Sequence, residues 1–136
     1  MKLILLVEDS KFLRMANSRA LAKAGFRVVT ANNGEEALRV ATDGRPDLIL
    51  LDMLLPKMGG VEVLRELRKN PRTAVTPIVV MTGLAKSNES KLMLEGADGF
   101  FEKSKLDEGS DSFVEMVRSF LEEASEGHEM PCESEA

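Results

Sequence analysis

The stretch DLILLD, residues 47–52, decides the fold. Leu48 to Leu51 present no polar face, so a strand here must be covered on both sides. Strands of that kind belong to parallel sheets flanked by helices. The run stops on a carboxylate, Asp52, and gives way to the loop-forming MLLPKMGG at 53–60. Three more apolar runs end in a comparable way. LILLV at 3–7 precedes Glu8 and Asp9, PIVVM at 77–81 precedes Thr82, and GFF at 99–101 is followed two residues on by Lys103. Polar groups gathered at the C-terminal ends of apolar strands mark a site on one edge of a parallel sheet.

Helical patterns separate the strands. The first strand is expected over 2–7. A helix follows from about Ser10, a possible N-cap, with Phe12, Leu13, Ala16, Ala20 and Leu21 on one stripe and Gly25 as the C′ residue. The second strand is expected over 27–31. Asn33 then stands three residues before Glu36, a capping-box-like start, and the second helix turns Ala37, Leu38 and Ala41 inward and ends at Gly44. The third strand spans 47–51, and the third helix turns Val63, Leu64 and Leu67 inward. The fourth strand, 78–81, opens after Thr76-Pro77, where proline is tolerated. A fourth helix is expected over 87–95, a short fifth strand over 98–101, and a fifth helix after Ser110 with Phe113, Val117, Phe120 and Leu121 inward. Alternating strands and helices imply right-handed βαβ crossovers. The expected architecture is a doubly wound α/β fold, five parallel strands in order 2-1-3-4-5 with five helices. Its ligand crevice would lie between strands one and three, where the order reverses.

At 136 residues the chain fits one domain with a real core. No apolar run approaches the ~20 residues of a membrane span, and Leu3–Val7 is too short for a signal peptide. Cys132, the single cysteine, cannot form an internal disulfide. These features give the expectation of a cytoplasmic protein. The net charge of −5 is unevenly spread. Six of the 23 acidic residues lie in 122–136, which has no Lys or Arg, leaving 17 acids against 18 bases before it. The expected division is therefore a domain over 1–122 and an acidic, disordered tail over 123–136. No basic stripe with interleaved aromatics appears, so nucleic-acid binding is not expected. His128, the only histidine, lies in that tail and cannot complete a catalytic triad.

The clustered polar groups suit phosphoryl chemistry. Crowded carboxylates repel one another, and a hard divalent cation offsets the repulsion; oxygen ligands suit Mg²⁺. Asp9 and Glu8 would hold the metal, Glu8 through water, while Asp52 attacks phosphorus to form an acyl phosphate. Thr82 could donate to a phosphoryl oxygen. Lys103 could pair with Asp52 before reaction and with the phosphoryl group afterwards. Taken singly, each residue has an ordinary reading: a cap, a turn residue, a strand end, a surface lysine. Their joint position at four strand ends favours the site.

VEDS at 7–10, LLDMLLPKMGG at 50–60, VVMTG at 79–83 and FFEKS at 100–104 together resemble the receiver domain of bacterial two-component response regulators, the CheY-like family. The resemblance spans 2–121, with the motifs in order and in the family's spacing. It implies a flavodoxin-like fold and phosphorylation of Asp52 by a histidine kinase or histidine phosphotransfer protein. Glu8, Asp9 and Asp52 would be the metal carboxylates, with the backbone carbonyl of Leu54 as a further ligand. Thr82 would be the switch hydroxyl, Lys103 the family lysine and Phe100 the switch aromatic; Phe100 reads equally well as plain core. The protein would then be a phosphoacceptor switch, with weak self-phosphorylation and self-dephosphorylation, rather than an enzyme acting on other substrates. Its output would be a downstream target protein met at the face of the fourth helix, fifth strand and fifth helix, by a monomer or weak dimer. No output-domain pattern follows residue 121.

The chain departs from the family pattern in places. Ser104 stands where proline usually follows the lysine, which leaves the aim of Lys103 open. Leu54 and Leu84 occupy positions that set the rate of dephosphorylation in the family. Neither can orient water, so slow self-dephosphorylation is expected. Other readings are weaker. A phosphatase with an aspartyl nucleophile would need a second acid at position 54, where Leu54 stands. A flavodoxin-like cofactor binder would not place Glu8-Asp9 against a phosphate. An intermediate in a phosphorelay, or a phosphorylation-independent adaptor, keeps the same fold.

Overall fold

The computed structural model describes residues 2–52, 59–82, 95–102 and 113–121, with the backbone alone at 82 and 102. Five parallel strands, β1 Leu3–Val7, β2 Arg27–Ala31, β3 Leu48–Asp52, β4 Ile78–Thr82 and β5 Gly99–Glu102, form one sheet in the order β2-β1-β3-β4-β5. The helices are α1 Lys11–Lys23, α2 Gly34–Gly44, α3 Gly60–Lys69 and a C-terminal helix over 113–121. They make four among the described residues. The helix expected over 87–95 falls almost wholly outside these, as do Ser110 and the tail.

Strand alternation divides the core into two layers. Leu5, Val7, Ile49, Leu51, Ile78 and Val80 meet Ala37 and Ala41 of α2 and Val63, Leu64 and Leu67 of α3 on one face. Ile4, Leu6, Leu48, Leu50, Val79, Met81 and Phe101 meet Leu21 of α1 and Phe113, Val117 and Leu121 of the C-terminal helix on the other. Every residue of β3 is buried, as its unbroken apolar run requires. The covered faces leave the strand ends as the place where polar groups can gather.

Local chemistry explains the helix boundaries. Ser10 caps α1, its hydroxyl accepting from the Leu13 N–H, and Gly25 follows with φ +102°, a conformation suited to glycine. Asn33 caps α2 by accepting from the Glu36 N–H at 2.9 Å. The Glu36 carboxylate reaches back to the Asn32 N–H, one residue before the cap, so the capping box is displaced by one. The second helix ends at Gly44 as expected, and Arg45 after it takes the left-handed conformation, φ 47°. Strands β3, β4 and β5 each run one residue further than expected, so Asp52 and Thr82 belong to their strands. Asp98 stands just before β5, where its carboxylate accepts from the Ile78 N–H.

The stripe expected on α1 needs correction. Phe12 is 79% exposed and Ala16 is exposed; Asn17 and Leu21 are the buried residues. The helix is rotated so that its apolar line gives way to an asparagine whose Nδ2 finds no partner among the described residues. Periodicity alone favoured Phe12 because a large apolar residue was the better core candidate. Leu21 reaches the core layer shared with the sheet and the C-terminal helix, a partnership a local pattern cannot register.

Arg68 of α3 ties the other side of the sheet together. Its guanidinium donates to the carbonyls of Thr73, Ala74, Thr76 and Gly96 and to the Asp98 carboxylate. Gly96 has φ +117°, and a Cβ there would meet the Arg68 side chain at 2.7 Å. Glycine at 96 thus permits both the backbone conformation and the close approach of Arg68.

Candidate functional site

Each acidic residue is placed by a strand end. The Glu8 N–H donates to the Ala31 carbonyl at 3.0 Å, extending the β1–β2 pairing past Val7. The chain then turns through Asp9 and Ser10 into α1. The Ser10 N–H donates to Glu8 Oε2 at 3.3 Å, and Arg14 Nη1 donates to the carbonyls of Glu8 at 2.9 Å and Asp9 at 3.3 Å. Asp52 closes β3, opposite Met81 of β4 in register. Glu8 and Asp52 continue the alternation of Ile4–Leu6 and Leu48–Leu50 on their strands.

The three carboxylates converge. Glu8, Asp9 and Asp52 each offer an oxygen, and these oxygens all lie within 4.8 Å of one another. Glu8 is 0% exposed and Asp52 1%, while Asp9 is exposed. Two of the acids are thus held out of water and the third, Asp9, is exposed. Among the described residues no other group of three His, Cys, Asp or Glu side chains converges in this way. The donor set fits a hard divalent cation. All-oxygen ligands suit Mg²⁺, which keeps several waters, so a phosphate oxygen can enter its shell. Three carboxylates converging in this way are the kind of ligand set a hard divalent cation takes.

The remaining candidates are only partly described. Thr82 ends β4, one residue beyond Met81, the register partner of Asp52; this places its backbone beside the acidic cluster. Lys103 and the Leu54 carbonyl lie outside the described residues, as do Leu84 and Ser104. Phe100 pairs in register with Val80 and is half-buried against the core layer of α2 and α3. Arg14 and Ser10 are features of the site that sequence reasoning passed over in part. Ser10 was read as a cap, and it also donates to Glu8. Arg14 gave no signal, because a side chain reaching back five and six residues to carbonyls follows no helical spacing rule.

Comparison with known proteins agrees with this geometry. The family model described as response regulator receiver domain matches residues 4–118. The polar-differentiation response regulator DivK of Brucella anthropi is 33% identical over 125 residues, covering 90% of this chain and 98% of DivK. The alkaline phosphatase synthesis transcriptional regulatory protein PhoP of Bacillus subtilis is 39% identical over 103 residues, 75% of this chain and 42% of PhoP. The chain thus spans less than half the length of that regulator. Among solved structures, chemotaxis protein CheY4 of Vibrio cholerae superposes with a TM-score of 0.81 at 29% identity, covering 88% of this chain and 98% of CheY4. The receiver domain of sensor histidine kinase PA1611 from Pseudomonas aeruginosa, described with a magnesium ion coordinated in its active site cleft, has a TM-score of 0.79 at 26% identity, covering 88% and 97%. No described helix is long and apolar enough to cross a membrane. Fold, acidic cluster and family match coincide on the same residues, and the chain belongs to the response regulator receiver domain family.

Proposed function

We propose that this protein is a phosphorylation-driven switch in which Asp52 accepts a phosphoryl group from a phosphohistidine donor. The observation that carries the reading is the convergence of Glu8, Asp9 and Asp52 within 4.8 Å at the ends of β1 and β3. A carboxylate oxygen of Asp52 attacks phosphorus in line with the P–N bond of the donor. That bond breaks, the imidazole leaves, and an acyl phosphate remains on Asp52. Bound Mg²⁺ supplies charge neutralisation for the carboxylates and the phosphoryl oxygens. Glu8 and Asp9 orient it from the β1 end, and the Leu54 carbonyl is the proposed further ligand. Burial of Glu8 and Asp52 fixes the acceptor's surroundings and limits access of bulk water.

Thr82 then donates its hydroxyl to a phosphoryl oxygen and Lys103 pairs with the modified group. Phosphorylation adds about −1.5 to −2 charges, which is the driving change. Phe100 moves with Thr82, altering the surface around β5 and the C-terminal helix that a downstream target binds. Driving a 1:99 equilibrium to 99:1 requires a preference of about 10⁴-fold for the modified form. The signal leaves by protein contact in the cytoplasm, and the protein turns over no substrate beyond its own phosphorylation. Leu54 and Leu84 orient no water, so the acyl phosphate is expected to last hours. A half-life of seconds in purified protein would refute that.

The deciding experiment is incubation with acetyl phosphate or phosphoramidate and Mg²⁺, followed by intact-mass measurement. One added phosphate is expected, lost in Asp52→Asn and in EDTA. A folded protein that gains no phosphate from either donor would overturn the reading.

A further inference from the structure

We infer that Arg14 is a positioning residue for the metal-binding carboxylates, acting through the backbone that carries them. The inference rests on the phosphoacceptor reading above and assigns a role to a residue outside the acidic cluster. Arg14 lies in the first turns of α1 and is partly buried. Its Nη1 carries two hydrogens at a fixed angle and donates to two successive carbonyls, those of Glu8 and Asp9. These are the peptides that fix where the Glu8 and Asp9 side chains leave the chain. The Arg14 N–H also donates to the Ser10 carbonyl at 2.8 Å, and Ser18 donates to the Arg14 carbonyl, so the base of the side chain is held within α1. The guanidinium therefore fastens the turn between β1 and α1 to a rigid helix.

Among the described residues, the other bonds at the turn are the Glu8 N–H on β2, the Ser10 N–H on Glu8 and the Ser10 cap. None of these three bonds ends on the Glu8 or Asp9 carbonyl. Without Arg14 the two acids would have to be ordered at the moment of metal binding, at a cost in affinity. Groups that orient metal ligands from behind typically change affinity about 10–100-fold when removed. A purely electrostatic role predicts the opposite sign. A fixed positive charge near a dication site repels the ion, so deleting it would tighten binding. The sign of the change therefore separates positioning from charge.

The test is Mg²⁺ titration by calorimetry of the full chain as wild type, Arg14→Ala, Arg14→Lys and Asp52→Asn, with thermal midpoints in EDTA as a folding control. Arg14→Ala is expected to weaken Mg²⁺ about 10-fold or more, with its EDTA midpoint close to wild type. Arg14→Lys keeps the charge and a donor and is expected to fall between the two. Unchanged or tighter binding in Arg14→Ala, with wild type and Asp52→Asn behaving as a metal site requires, would overturn this inference alone. No Mg²⁺ binding by wild type would remove the phosphoacceptor reading as well. If Arg14→Ala fails to fold, Arg14→Lys carries the test: affinity equal to wild type would count against positioning.

Discussion

Replacing Asp52 with asparagine should make the metal-free protein more stable, although it abolishes the acceptor. The substitution keeps the shape and removes one charge from a cluster whose oxygens lie within 4.8 Å of one another. At that separation and an effective dielectric of about 20, each like-charged pair costs about 3.5 kcal/mol. Burial leaves the Glu8–Asp52 pair less screened than the pair with exposed Asp9. Asp52 also makes other contacts, whose loss offsets part of the gain. A net stabilisation of about 1–2 kcal/mol is expected, which corresponds to roughly 3–8 °C for a domain of this size. Thermal or urea denaturation in EDTA measures it, with Glu62→Gln on the exposed face of α3 as a control of equal charge change. The metal supplies a second readout. Mg²⁺ at 100 times its dissociation constant should stabilise wild type by about 2.7 kcal/mol and Asp52→Asn by much less. A lower midpoint for Asp52→Asn in EDTA, or an undiminished response to Mg²⁺, would show that repulsion does not govern this cluster.

Three further expectations concern the frame around the site. Arg68→Ala removes donors from four carbonyls and from Asp98; urea unfolding should show a loss of about 2–4 kcal/mol, and a loss under 1 would count against the bracket. At Gly99 an added Cβ would overlap the Phe120 ring. Gly99→Ala should therefore cost about 1–3 kcal/mol, partly restored by Phe120→Leu in a double-mutant cycle; additive effects would sink the packing argument. Phe12 is 79% exposed, so Phe12→Ala should change stability by no more than about 0.5 kcal/mol, and a larger loss would place Phe12 back in the core.

The site was legible to the extent that it is built from strand ends. Glu8, Asp9 and Asp52 stood out because each follows an unbroken apolar run, and a doubly wound sheet brings those ends together. Ser10 and Asn33 were legible as caps because capping acts over three residues. Phe12 misled because amphipathic periodicity ranks residues by apolarity, whereas the face that α1 buries is set by what it packs against after folding. Arg14, Arg68 and the contact of Gly99 with Phe120 left no trace in the pattern, since each depends on elements that meet only after folding.

By itself the sequence determined the number and order of the strands, the burial of β3 on both faces and the identity of the acids at the strand ends. Those properties follow from local periodicity and from the few ways in which alternating strands and helices can be connected. Tertiary structure alone decided that three carboxylate oxygens lie within 4.8 Å, that two of the acids are shut away from water, and that Arg14 holds the turn bearing two of them. Distance and burial are properties of the packed chain. They arise when residues 8 and 52 are brought together by β1 and β3, and no pattern confined to either segment contains them.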